Sequence, residues 1–152
     1  MSIETFILNA FTGLGARGNP AAVCPLKEWL PAASMQAIAV EINLSETAFI
    51  VPAGGDFGIR WFTPTREADL IGHATLAAGM VVLDFLCPDR DEVRFRSAKD
   101  FLAVRRKRDE PVQAKTQTRA RHSLDMPALL FINCNRLDFN NEPSIAMKKL
   151  PY

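Results

Sequence analysis

Residues 72–86 constrain this chain more than any other segment. The stretch contains no proline, and Leu76, Met80, Leu83 and the Ala and Val positions between them make it apolar nearly all round. A helix without a polar face has to be covered on every side, so the segment predicts a buried helix. With 152 residues the chain fits one domain and can enclose a proper core. Its 48% hydrophobic and 23% charged content is ordinary for a globular protein. The same apolar stretch is too short to span a bilayer and contains Asp84. The N-terminus lacks the basic-then-apolar pattern of an export signal, so no membrane contact is expected and the cytoplasm is the default location.

Other elements follow from pattern. The apolar-rich residues 3–11 suit a first strand that ends at Thr12-Gly13. Gly13, Gly15 and Gly18 loosen the next loop, but Asn19-Pro20 and the strand-like Ala21-Ala22-Val23-Cys24 rule out a dinucleotide fingerprint. Pro31 opens a helix, with Met35, Ile38, Ala39 and Ile42 at helical spacing, ending near Asn43. Residues 47–51 and 57–62 read as two strands joined by Ala53-Gly54-Gly55-Asp56, a hairpin signal. Cys87-Pro88 stops the apolar helix, and residues 92–96 and 101–104 are short strand candidates.

Two segments carry chemistry. In Asn43-Leu44-Ser45-Glu46-Thr47-Ala48-Phe49 a carboxyl group sits where a helix gives way to an apolar strand. Flanked by Leu44, Ala48 and Phe49, Glu46 is easily desolvated, which suits a group that donates and recovers a proton. In Leu70-Ile71-Gly72-His73-Ala74-Thr75 an imidazole sits at the first turn of the apolar helix, where the helix N-terminus favours an anionic carboxylate and a neutral ring. Gly72, with no Cβ, lets its N–H approach a ligand's oxygens. A carboxyl group, an imidazole and free N–H groups can converge on one small anion and move a proton within it. Asn19 either binds substrate or shapes the turn before Pro20, and Ser45 either orients Glu46 or caps the preceding helix. A solvent-facing Glu46 and a capping His73 are the bland alternatives, and no nucleophile-elbow context supports a Ser-His-Asp triad.

These segments, together with Gly18-Asn19-Pro20-Ala21-Ala22-Val23 and Arg60-Trp61-Phe62-Thr63-Pro64 followed by Glu67, resemble the N-terminal half of the phenazine-biosynthesis PhzF-like proteins. The resemblance covers about residues 3–105. It implies an α/β (α+β) fold of the diaminopimelate-epimerase-like type: two similar halves, each a curled sheet around a central helix, with the active site in the cleft between them. The chemistry implied is isomerisation of a dihydro-hydroxyanthranilate by proton transfer, needing no metal, nucleotide, pyridoxal phosphate or flavin. Carried onto this chain, Glu46 becomes the general acid/base, with His73, Gly72, Asn19 and Ser45 toward a small carboxylate substrate.

After residue 104 the pattern changes. Where the family has Ser-Gly-x-Leu-x-Val, this chain has Lys99-Asp100-Phe101-Leu102-Ala103-Val104. Residues 105–121 hold seven Lys/Arg against two acids, a local +5 that leaves −4 for the rest of a chain of net +1. With few large apolar residues they are expected to be a solvated basic linker of little stability. No aromatic is interleaved for base stacking, so no nucleic-acid partner is expected. The domain reading is therefore residues 1–104 as the PhzF-like domain, 105–121 as linker, and 122–152 as a divergent or truncated tail. Leu124-Asp125-Met126-Pro127 and Leu137-Asp138-Phe139-Asn140 compete for the next element.

In the family, the second half supplies an Asp and a Gly-Ser anion-binding turn, and nothing after residue 105 matches either; Asp125 and Asp138 do not qualify. The chain thus carries one wall of a site. One rival reading is a non-catalytic ligand- or protein-binding remnant that forms a homodimer or needs a partner. The other is a two-cysteine racemase, disfavoured because position 46 is Glu and Cys87 lies at the far end of the helix from Gly72. Cys24, Cys87 and Cys134 form no CxxC and suggest neither a disulfide framework nor a zinc site.

Overall fold

The apolar stretch is a helix with a sheet curled around it. A computed structural model of the chain describes residues 3–13, 16–107, 110–117 and 131–137, with side-chain surroundings for 3–10 and 18–105. The elements in chain order are β1 (Thr5–Gly13), β2 (Ala16–Pro25), α1 (Ala32–Ile42), β3 (Glu46–Ala53), β4 (Asp56–Phe62) and β5 (Glu67–Ala68). They continue with α2 (Gly72–Val81), a π-helical turn (Val82–Leu86), β6 (Glu92–Arg96), β7 (Phe101–Lys107), β8 (Glu110–Gln117) and β9 (Phe131–Leu137). The strands make one mixed sheet in the order β8-β7-β6-β4-β3-β2-β1-β9, with β5 added to β4. The β2/β3 and β4/β6 pairs are parallel and the other pairs antiparallel.

Side-chain parity explains the two layers. Phe6, Leu8, Ala21, Val23, Ala48, Ile50, Phe57, Ile59 and Trp61 alternate along β1 to β4 and join Val93, Phe95, Leu102 and Val104 around α2. From α2 come Ala74, Leu76, Ala77, Ala78 and Val81, so the helix is buried as its composition requires. Each large side chain removed from water here stabilises the fold by about 1.5–3 kcal/mol. The opposite parity, with Cys24, Phe49 and Phe62, packs against Met35 and Ala39 of α1. The Cys24 thiol, 3.4 Å from Thr5 Oγ1, is pushed up to about 12 by burial.

The local signals act as expected in α1 and the first hairpin. The Pro31 carbonyl accepts from Ser34 N–H and Met35 N–H, and Asn43 closes the helix with φ 52° and an N–H bond to Ala39 O. Gly54 and Gly55, at φ 57° and 93°, make the two-residue turn between β3 and β4.

Three expectations need correction. The helix read as 72–86 changes register at Val82, and Cys87 N–H reaches Val82 O at 2.6 Å in a π-helical turn. The segment read as a basic linker, 105–121, carries the end of β7 and the whole of β8, with Val104 opposite Ala114 and Leu102 opposite Thr116. Charge does not decide the structure of this segment, because an edge strand gets its backbone hydrogen bonds from its neighbour and needs few large apolar residues. In the tail, the strand is Phe131–Leu137, paired with β1, while residues 124–127 and 138–140 lie outside the described residues. Among the described residues, no helix is long and apolar enough to cross a membrane.

Candidate active site

The same parity brings the candidate residues together. Along β2, Asn19 shares a face with Ala21 and Val23; along β3, Glu46 shares a face with Ala48 and Ile50. Ala21 and Glu46 are neighbours in the parallel β2/β3 ladder, so Asn19 and Glu46 lie on the α2 side of adjacent strands. His73 is the second residue of α2, and its ring meets them there.

His73 Nε2 lies 2.6 Å from Glu46 Oε2, with the side chains 12% and 18% exposed. Asn19 Nδ2 is 3.1 Å from the same ring nitrogen. Ser45 Oγ is 3.1 Å from Asn19 Oδ1 and 3.0 Å from Pro20 O, with its hydroxyl as donor. Asn19 therefore belongs to a strand, opposite Ala10, and does not form a turn. Ser45 caps no helix; it is bonded to β2. Glu46 Oε2 is enclosed yet receives no hydrogen bond of acceptable angle, although Nε2 is close. An oxygen and a nitrogen at that distance share a proton when one is present, which is the geometry of a proton-handling pair.

Ile71, the residue before α2, is extended, and the helix has no side-chain cap and no acid in its first turn. Its first N–H groups therefore have no capping side chain. Gly72 is exposed, and a Cβ built on it would meet nothing within 4 Å. Packing within the described residues therefore does not require glycine there. Among the described residues no cluster of His, Cys, Asp or Glu is placed to hold a metal. Buried Cys24 faces α1, and Cys87 lies beyond the far end of α2, so the two thiols do not face a common ligand. A cavity of about 820 Å³ opens at that far end, lined by Leu26, Leu30, Pro52, Leu86 and Cys87 among others, and none of the candidate residues lines it.

The motif residues Arg60 and Glu67 gain a structural role that the sequence did not assign. Arg60 makes two 2.7 Å hydrogen bonds to the Glu67 carboxylate, clamping β5 to β4 just before the turn into α2. The Glu67 carboxylate holds the guanidinium above its ordinary value. Arg60 also lies over the Trp29 and Phe62 rings at 5.7 and 5.4 Å. In the sequence the clamp shows only as the pairing of Arg60 with Glu67 in one motif, without a role for either.

A central helix in a curled mixed sheet, with a Glu and a His meeting at its N-terminal end, defines an α+β half of the diaminopimelate-epimerase-like class. A sequence model for phenazine biosynthesis-like protein (PhzC-PhzF) matches residues 8–142, and the chain belongs to that family. An uncharacterized isomerase of Pseudomonas aeruginosa is 49% identical over 109 residues, 72% of this chain and 42% of its own. A human phenazine biosynthesis-like domain-containing protein is 42% identical over 117 residues, 72% of this chain and 41% of its own. A crystal structure of a PhzF-family protein from Enterococcus faecalis superposes with a TM-score of 0.67 at 48% identity, over 71% of this chain and 42% of that one. The chain thus spans less than half the length of the relatives it matches.

Proposed function

We propose that this chain supplies the acid/base wall of an isomerase-type site that moves a proton within a small carboxylate substrate. The carrying observation is the 2.6 Å approach of Glu46 Oε2 to His73 Nε2 at the uncapped start of α2. Glu46 takes the substrate proton and returns it at another carbon. His73 and the Gly72 N–H orient the substrate, and the start of α2 faces its carboxylate. Family membership and the isomerase names of relatives support the class of reaction. The opposite wall comes from elsewhere in the working protein, from complementary residues or a second copy.

The test is reconstitution. The chain is co-expressed with the part of the Pseudomonas relative that it does not match, and solvent deuterium incorporation into a dihydro-hydroxyanthranilate and other small carboxylates is followed. Glu46→Gln keeps size and hydrogen bonding but cannot carry a proton, so exchange should fall by about 10²-fold or more. Unchanged exchange in the Gln variant would make Glu46 structural and end this reading.

A further inference from the structure

Among the described residues, three enclosed side-chain atoms have no hydrogen-bond partner: Glu46 Oε2, Thr47 Oγ1 and Trp61 Nε1. Two of them share a face of the sheet. Trp61, 1% exposed, stands opposite Ala48 in the β3/β4 ladder, and Ala48 lies on the same side of β3 as Glu46. Thr47 has the opposite parity and stands across from Phe62 on the α1 side. We propose that Trp61 is a positioning residue for Glu46: its indole N–H donates, through one enclosed water, to the carboxylate and holds it beside His73. This deepens the proton-transfer reading and rests on it for its purpose.

An indole N–H only donates and a carboxylate oxygen only accepts, so the two atoms are complementary. A buried tryptophan ordinarily finds a partner for its N–H, because leaving it dry costs free energy. Glu46 precedes Ala48 by two residues, which makes it the diagonal neighbour of Trp61 across the ladder. Such neighbours lie about 7–8 Å apart on one face, within reach of an aromatic ring and a long side chain. Ala48 between them carries only a methyl, and the other ladder neighbour of Trp61, on β5, is Ala68. Neither has the bulk to separate the indole from the carboxyl group. No direct bond joins the two, since each atom lacks a partner. One water that accepts from Nε1 and donates to Oε2 satisfies both, and two polar partners are enough to hold it. The core around α2 locks the indole, so the water hangs from a fixed donor. Glu46, a longer and more flexible side chain, then keeps its carboxylate at His73 Nε2 before any substrate arrives. Trp61 needs no contact with the substrate.

Indole NMR tests this without any activity. Trp29 and Trp61 are the only tryptophans, so Trp61→Phe identifies the Trp61 N–H signal by its loss. Trp29→Phe, at a 41% exposed position, gives the same assignment if the first variant does not fold. In the 152-residue chain the Trp61 N–H should show cross-relaxation with a long-lived water. Glu46→Leu removes the acceptor and should abolish that signal. Glu46→Gln keeps an acceptor but not its charge, so the water signal should stay while the indole N–H shift moves. No long-lived water at the Trp61 N–H of the parent chain overturns the proposal, and so does an indole shift unchanged in folded Glu46→Gln. In the reconstituted protein, Trp61→Phe should lower kcat for solvent exchange about 10-fold and leave KM within about twofold. An unchanged kcat overturns the positioning role. The two readings fail separately: exchange unaffected by Glu46→Gln, beside an intact water link, would end the acid/base reading and leave the Trp61 contact standing.

Discussion

At the scale of single residues, packing and chemistry make different demands on glycines and thiols in one helix and its sheet. Gly79 faces β7 so closely that a Cβ would overlap the Val104 side chain, whereas Gly72 faces open space. Gly79→Ala should cost about 1–3 kcal/mol in denaturant unfolding through overpacking, and Val104→Ala in the same chain should recover part of that loss. Gly72→Ala should leave the unfolding midpoint within about 1 kcal/mol of the parent, since it adds only a methyl at a helix start. It should nevertheless lower exchange in the reconstituted protein, because the methyl stands where a ligand oxygen would approach. A large stability loss would mean instead that Gly72 serves packing. Cys24 gives a pH test. Its folded-state thiol is raised from 9.0 to about 12, so the folded state resists the ionisation that the unfolded chain undergoes freely. Stability from this group is whole below about pH 9 and is lost as pH rises toward about 12, by a few kcal/mol at most. Cys24→Ala should flatten that alkaline limb relative to the parent, and identical limbs would show that burial of this thiol carries no linkage.

At the scale of elements, legibility followed how local the determining interaction was. Helix α2 is readable because the run 72–86 that contains it is apolar nearly all round, and the β3–β4 hairpin because Gly54-Gly55 accepts the left-handed backbone that its turn needs. The π-helical turn at Val82–Leu86 was not readable, since the same apolar residues serve either hydrogen-bond register. Strand β8 was missed because Glu110–Gln117 gains its order from β7 across the sheet, a contact that local composition does not record. The site divides the same way. Glu46, Gly72 and His73 announced themselves by motif, whereas the Asn19–Ser45 link joins residues 26 apart and needs the parallel β2/β3 register to exist. Amide exchange separates the two views of the basic segment. The composition predicts fast exchange throughout 110–117, while pairing with β7 predicts slow amides at the bonded positions alternating with faster ones at the outer edge. Uniformly fast exchange would remove β8 from the sheet.

At the scale of the whole molecule, the question is what one half-fold can do. The curled sheet buries α2 and leaves its N-terminal end, with Gly72 exposed, open to one side. Relatives matched by this chain are more than twice as long as the part they share with it. Acid/base catalysis needs both ends of the proton path fixed around the substrate, and a misplacement of about 1 Å can cost roughly 10²-fold in rate. A substrate held by Glu46, His73 and the helix start alone keeps its freedom to tilt away from the carboxyl group. The 152-residue chain by itself should therefore bind small carboxylates weakly and exchange their protons slowly. Adding the complementary part of the Pseudomonas relative should raise exchange far more than any substitution within the chain. Sedimentation run beside the assay identifies the source of the second wall: a monomer that gains activity only with the complement supports a missing wall, and a dimer that turns over alone supports a second copy as that wall. Fast turnover by a sedimenting monomer would show that one wall suffices, and would overturn the two-sided account of this site.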